Sequence, residues 1–103
     1  MPDGYLSFSA TVVLQTVANG YVYGFDVMDA TGLPSGTVYP ALRRLERSEL
    51  IRGDWSTVGG RRRRTYELTA AGQRALGEER SNWRQFSSAV SALLEPGGWP
   101  ATT

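Results

Sequence analysis

A tight Gly-Leu-Pro turn at residues 32–34 separates two short segments whose apolar residues recur at helical spacing. In the segment before the turn, residues 24–31, Phe25 and Met28 share one face. The segment after the turn, residues 35–48, has an apolar face of four residues: Val38, Ala41, Leu42 and Leu45. Two helices joined by a short glycine-containing turn form a helix-turn-helix, so this stretch constrains the fold more than any other.

The opposite face of the segment 35–48 has a different character. At 100° per residue it contains glycine, proline, an aromatic residue and arginine. Its members are Gly36, Tyr39, Pro40, Arg43 and Arg47. We therefore expect the apolar face to pack inward and this face to be exposed.

The remaining segments predict one helix before this motif, and a hairpin and a long helix after it. Residues 8–18 predict a helix that ends at Asn19-Gly20, with an apolar stripe of Val13, Leu14 and Val17. The strand candidates LIRGDWS and RTYEL are joined by the predicted loop TVGGRR, which includes the first arginines of a run. A Gly-Gly loop between such segments is typical of a β-hairpin. Thr69 can cap a last helix that runs to about Glu95 and is stopped by Pro96. The predicted fold class is mainly α with a small β-hairpin: a winged helix-turn-helix plus a long C-terminal dimerisation helix.

The last helix carries a heptad pattern. Leu76, Trp83 and Val90 repeat every seven residues, and Glu79, Phe86 and Leu93 interleave with them, so the pattern has one polar member. These residues could simply cover the core of their own domain. The helix is too long for so small a domain, however, and an apolar stripe would remain exposed. We therefore expect the stripe to form a homodimer interface: Leu76, Trp83, Phe86, Val90 and Leu93.

Charge is concentrated in the middle of the chain. The formal net charge is only +1, yet residues 43–64 contain eight arginines against three acidic residues. Four of these arginines, Arg61 to Arg64, are consecutive. Such a run favours an anionic partner, because local charge steers a ligand more than total charge does. From charge alone, a solvated hairpin or a docking site for an acidic protein remains open.

The composition argues against enzymatic chemistry. The chain contains no cysteine and no histidine, which removes thiolate chemistry, the commonest metal ligand and the commonest general base. Glu78 and Glu79 are adjacent on a helix and point in different directions. We therefore predict no catalytic residue, no metal and no cofactor. The absence of a basic N-terminal start or a long apolar run predicts a cytoplasmic protein without a membrane partner.

Three strings, YVYGFDVM, LPSGTVYPALRRLE and GGRRRRTYELTAAG, resemble the PadR family of transcriptional regulators. The resemblance covers about residues 12–94 and is closest to members with a single C-terminal helix. It implies a homodimer that binds an operator, usually as a repressor, and is often released by a small molecule. Glu49 stands where many members have the glycine that ends the third helix, so we expect this helix to end differently here.

DNA is the anionic partner that fits these residues best. In the major groove the third helix would place Tyr39 and Arg43 near base edges and the backbone, and arginine suits guanine O6 and N7. The N–H groups at its N-terminus favour a phosphate, and the arginine run gains counterion-release free energy on a duplex. Arg64 has the weaker claim, because it shares a strand face with Tyr66 and could brace the wing. The predicted DNA-binding residues are Ser35, Gly36, Thr37, Tyr39, Pro40, Arg43, Arg61, Arg62, Arg63 and Arg64.

The chain is thus divided into a DNA-binding domain at 1–69, a dimerisation helix at 70–95 and a disordered tail at 96–103. The operator is expected to be an inverted repeat of double-stranded DNA. Trp83 is either a plain core tryptophan or, with Phe86, a wall of a pocket for a small aromatic effector, as the family resemblance implies. Two other hypotheses are a winged-helix adaptor that binds protein and not DNA, and, more weakly, an enzyme. Trp55 and Trp99 are expected to be packing and tail residues.

Overall fold

The computed structural model describes residues 6–96, which form four helices and one antiparallel hairpin. The elements are α1 (Phe8–Ala18), α2 (Gly24–Thr31), α3 (Ser35–Arg47), β1 (Ile51–Val58), β2 (Arg61–Leu68) and α4 (Ala70–Leu94). The predicted fold class is confirmed: a helix-turn-helix is followed by a β wing and a long last helix. The predicted disordered tail falls, apart from its first residue Pro96, outside the described residues, as does Trp99.

The core lies where α1, α3 and the base of the hairpin meet. Val13 and Leu14 of α1 are fully buried, as are Val38 and Leu42 of α3. Ile51 at the start of β1 is also buried. The four helical residues belong to the apolar stripes that the sequence predicts. Burial of the α3 stripe turns the opposite face of α3 outward.

The helix-turn-helix closes at Gly32, which caps α2 in the left-handed region with φ 73°. The following helix begins without a side-chain cap, because Pro34 occupies the cap position. Instead, the Pro34 carbonyl accepts the N–H groups of Thr37 and Val38 at 2.9 and 3.0 Å. The helix ends at Arg47, with Ser48 as its C-cap.

The hairpin is longer than predicted, because the chain reverses within two residues. Gly59 and Gly60 both have positive φ, 57° and 76°, as a type I′ turn requires. Val58 therefore pairs directly with Arg61. As a result the arginine run lies in strand β2, and the prediction that its first members belong to the loop is wrong. Beside the hairpin, Tyr23 forms an isolated antiparallel bridge with Thr65 of β2.

The last helix extends far beyond the domain. Leu76 is only 2 % exposed and packs in the core of its own chain, so its assignment to the dimer interface is corrected. Every position from 80 to 96 is exposed. The molecule is accordingly elongated, with principal extents of 69 × 26 × 22 Å. Within residues 6–96, no helix is both long and apolar enough to cross a membrane.

The end of α3 contradicts the expectation drawn from Glu49. Glu49 adopts the left-handed conformation, with φ 62°, even though it is not glycine. Thr69 holds this turn: its hydroxyl donates to the Glu49 carbonyl at 2.7 Å, and its N–H donates to the Leu50 carbonyl at 3.1 Å. These contacts add to a local bond from the Leu50 N–H to the Leu45 carbonyl at 2.9 Å, so the helix ends in the left-handed turn that glycine would favour.

The left-handed Glu49 predicts that Glu49→Gly stabilises the fold. A side chain in the left-handed region costs about 1–2 kcal/mol, which glycine would remove. Glycine also gives the unfolded chain more freedom, which offsets part of this gain, so the free energy of unfolding should rise by about 1 kcal/mol. The measurement is the urea midpoint followed by circular dichroism. The opposite change, Gly32→Ala, is the control and should lower the midpoint. A Glu49→Gly midpoint at or below that of the wild type would contradict a strained turn.

Candidate nucleic-acid interface

An open cleft of about 480 Å³ lies between the start of α2, the outer face of α3 and strand β2. Its walls are aromatic on the helical side and basic on the strand side. The lining residues are Tyr23, Gly24, Phe25, Tyr39, Arg61, Arg62, Arg63, Arg64 and Tyr66. The cleft therefore joins the two elements that the sequence separates, the third helix and the arginine run.

Tyr39 forms the floor of the helical side. A Cβ atom at Gly24 would overlap its ring, so the glycine lets the ring lie against the start of α2. The Tyr39 side chain nevertheless remains 36 % exposed. Tyr39 thus combines packing, which positions the ring, with an accessible edge that faces the cleft.

Phe25 is a cleft residue that the sequence reasoning missed. The helical pattern placed it on one face with Met28, which packs against the core, yet Phe25 is 69 % exposed. The buried positions of α2 are Gly24 and Val27 instead. A helix of only two turns does not define its inward face by spacing alone, so the pattern assigned the wrong side.

The arginines of β2 are ordered by aromatic rings. The guanidinium carbons of Arg62 and Arg64 lie 4.6 and 5.4 Å from the ring centroid of Trp55. That of Arg63 lies 5.3 Å from the ring centroid of Tyr23. These distances are within the range of cation–π attraction. Trp55, expected to be a simple packing residue, is 57 % exposed and carries two of the four arginines.

Arg64 differs from its three neighbours because it forms an ion pair with Glu46 of α3. The two side chains are 31 % and 28 % exposed, whereas Arg61, Arg62 and Arg63 are exposed residues. Burial, and secondarily the negative charge of Glu46, raises the pKa of the adjacent Tyr66 phenol. Tyr66 is therefore neutral at physiological pH. Because Arg64 and Glu46 compensate each other, these three side chains add no net charge to the base of the cleft.

The N-terminus of α3 is exposed at Ser35 and Gly36, while Thr37 is partly covered. The N–H groups of Ser35 and Gly36 precede the first hydrogen bond of the helix, which begins at Thr37. Pro40 removes a further N–H in the second turn. The exposed side chain of Arg43 follows on the same helix. The predicted helix residues thus lie on one outward surface, beside the cleft.

A second exposed surface lies between α1 and α4. Phe8, Trp83 and Phe86 are 75 %, 61 % and 60 % exposed, and the rings of Trp83 and Phe86 are 5.7 Å apart. They line a groove of about 400 Å³. Val90 and Leu93 extend the exposed stripe along α4. In the single chain, Trp83 is therefore not a core tryptophan, and only Leu76 of the stripe helps to cover its own domain.

Within the described part of the chain, no cluster of three histidine, cysteine, aspartate or glutamate residues could hold a metal ion.

The helix-turn-helix, the two-stranded wing and the basic cleft between them define a winged-helix protein. Residues 13–78 match the Transcriptional regulator PadR-like family, and the chain belongs to this family. The family and the similar proteins below are transcription regulators and not enzymes.

Similar proteins support this assignment. Transcriptional regulator Rv3488 of Mycobacterium tuberculosis (strain ATCC 25618 / H37Rv) is 49 % identical over 55 residues, which are 53 % of this chain and 51 % of that protein. The matched region thus spans about half the length of this relative. A PadR family transcription regulator from Clostridium difficile R20291 has a TM-score of 0.79 and 25 % identity over 86 % of this chain and 100 % of that one. A PadR family regulator from Eggerthella lenta DSM 2243 has a TM-score of 0.72 and 28 % identity over 82 % of each chain.

Proposed function

We propose that this protein is a sequence-specific, double-stranded DNA-binding regulator that acts as a homodimer on an inverted-repeat operator. The observation that carries the proposal is the cleft, where Tyr39 on the outer face of α3 lies beside the arginines of β2. A helix and a hairpin in this arrangement can contact a groove and the adjoining backbone together.

Helix α3 supplies the specific contacts. Its apolar side is buried in the core, so its outward side can enter the major groove without any loss of packing. Arg43 can donate to guanine O6 and N7, and the Tyr39 hydroxyl can reach the backbone or a base edge. The exposed N-terminus at Ser35 and Gly36 suits a phosphate, because its N–H groups and the helix dipole favour a negative charge.

The wing supplies affinity that does not depend on sequence. Arg61, Arg62 and Arg63 are exposed and can replace the counterions of DNA phosphates. Because Arg62 and Arg63 already rest on aromatic rings, less side-chain entropy is lost when they bind. Preorganisation of this kind lowers the cost of association.

The exposed stripe of α4 is proposed to pair with the same helix of a second chain. Trp83 and Phe86 are exposed in the single chain, and their burial against a second chain would remove a large apolar area from water. A two-fold dimer places two α3 helices against half-sites about one helical turn apart. The domain limits 1–69 and 70–95 correspond to these two roles.

We further propose a cytoplasmic repressor that a small aromatic molecule releases from its operator. The groove beside Trp83 and Phe86 has an aromatic wall for such a compound. A ligand at the dimer contact could change the distance between the two α3 helices. The family relationship supports the repressor role.

A winged-helix adaptor that binds an acidic protein remains the second candidate, because the arginine face of β2 would also suit that partner. Duplex binding separates the two functions. A regulator binds duplex DNA with steep salt dependence and prefers one selected sequence, whereas an adaptor does neither.

The first prediction of the proposed function concerns the wing. Arg61→Ala and Arg62→Ala should each weaken binding to operator and random DNA by similar factors. Each should lower the slope of log affinity against log salt by about 1, because one phosphate contact is lost. The measurement is titration of labelled duplex at several salt concentrations. Arg84→Ala on α4 is the control and should leave the slope unchanged. A wild-type slope after alanine replacement of all four arginines would exclude the wing from DNA.

The second prediction concerns α3. Arg43→Ala should reduce affinity for an operator selected from random duplexes by about 1–3 kcal/mol, and random DNA should be affected less. Tyr39→Phe should shift affinity in the same direction. The neighbouring Arg44→Ala is the control, because residue 44 is turned by about 100° from residue 43. Equal losses on both kinds of DNA would mean that Arg43 and Tyr39 only position the protein.

The third prediction concerns α4. Loss of a buried tryptophan costs about 3–5 kcal/mol, and the two-fold axis doubles the effect. Trp83→Ala should therefore be monomeric at micromolar concentration and lose operator binding, as measured by sedimentation across a dilution series. Trp55→Ala, which removes an equal ring from the wing, should remain dimeric.

A wild type that is monomeric at high concentration and still binds a half-site would refute the dimer. A Trp83→Ala protein that stays dimeric, yet shows no fluorescence quenching by planar aromatic compounds, would instead assign Trp83 to the effector pocket.

A further inference from the structure

We propose that Arg64 is not a phosphate contact, and that its ion pair with Glu46 positions the wing relative to helix α3. This inference rests on the proposed DNA-binding function and deepens it, because it divides the four arginines into two roles. Arg61, Arg62 and Arg63 contact DNA, whereas Arg64 fixes the geometry in which they do so.

The ion pair joins the two elements that the duplex must meet together. Glu46 lies in the last turn of α3, and Arg64 lies in the middle of β2 opposite Trp55. The Arg64 guanidinium donates a hydrogen bond to the Glu46 carboxylate. This bond connects α3 to the wing directly, across 18 residues of sequence.

The pair occupies space that the fold leaves for it. A Cβ atom at Gly53 would overlap the Glu46 carboxylate and lie 2.8 Å from the Arg64 guanidinium. Glycine in the interior of a strand weakens the strand, so its presence commonly marks a close approach of other groups. Here the close approach is that of the ion pair itself.

Burial distinguishes this helix-to-strand pair from Arg52–Glu67, which is an ion pair between the two strands of the hairpin. The Arg64 and Glu46 side chains are 31 % and 28 % exposed, whereas those of Arg52 and Glu67 are 65 % and 67 % exposed. Water screens the exposed pair more strongly, so it holds its partners less firmly. Arg64 is also stacked on Trp55, and Glu46 already neutralises its charge. It is therefore the arginine of the run least available to a phosphate.

The wing needs such a connection. A two-stranded hairpin is marginally stable by itself. The base of this one is anchored by buried Ile51 and Tyr66, but every residue from Thr57 to Arg63 is exposed. Without the ion pair, the outer part could tilt against α3. The helix and the wing would then bind as two weakly coupled contacts, and discrimination between sequences would fall.

The test compares two charge-equivalent variants of the full chain, Glu46→Gln and Glu67→Gln. Each removes one negative charge, so electrostatics alone would strengthen binding to any duplex in both. If the ion pair positions the wing, Glu46→Gln should lower the ratio of operator to random-DNA affinity by about tenfold, whereas Glu67→Gln should preserve the ratio. Equal ratios in the two variants would overturn the inference.

The salt slope gives a second readout. Arg64→Ala should keep the wild-type slope while losing specificity, and Arg61→Ala should lower the slope by about 1. A loss of about 1 in Arg64→Ala would instead make Arg64 a phosphate contact. The charge-reversed double variant, Glu46→Arg with Arg64→Glu, should regain part of the lost specificity. The double variant keeps the net charge. It also keeps the test decisive if one of the single variants fails to fold.

Amide hydrogen exchange without DNA separates this inference from the proposed function. In Glu46→Gln, the amides of residues 55–63 should exchange about tenfold faster than in the wild type. In Glu67→Gln, the same amides should exchange at the wild-type rate. Unchanged exchange in Glu46→Gln would refute the positioning role whatever the protein binds. A wild type without salt-dependent duplex binding would refute the DNA function, and the exchange result would still decide the role of the pair.

Discussion

The packing of α3 against α1 is the contact on which the rest of the structure depends. Val38 and Leu42 are completely buried against a core that includes Val13 and Leu14. Burial of such side chains contributes about 1.5–3 kcal/mol each. Because the helix has one apolar stripe, burying it also determines which residues face outward. The exposed direction of Arg43 is thus a consequence of core packing.

The arginine run is compatible with a small fold because its charges are dispersed and compensated. Successive residues of a strand point to opposite sides, so neighbouring guanidinium groups diverge. Glu46 pairs with one of them, and Trp55 and Tyr23 lie under others. A sequence with this much local positive charge is therefore stabilised by contacts that also order the side chains for a ligand.

The turn after α3 links the two proposed functional surfaces. Thr69, the N-cap of α4, donates to the carbonyl of left-handed Glu49 at the end of α3. A Cβ at Gly72 in the first turn of α4 would overlap the Leu50 carbonyl. The start of the long helix is therefore held tightly against the end of α3. A change in the angle of α4 at a dimer contact would reach α3 through this turn.

The order of the elements, the fold class and most helix limits follow from the amino-acid sequence alone, because periodic apolar residues and turn glycines act locally. The sequence also predicted that Tyr39 and the arginine run, which line the same cleft, belong to one site. Three features depended on tertiary structure. Leu76 is buried by its own chain, Glu49 is held left-handed by Thr69, and Arg64 pairs with Glu46. Each is set by a residue distant in sequence, and no local pattern encodes which partner that residue meets.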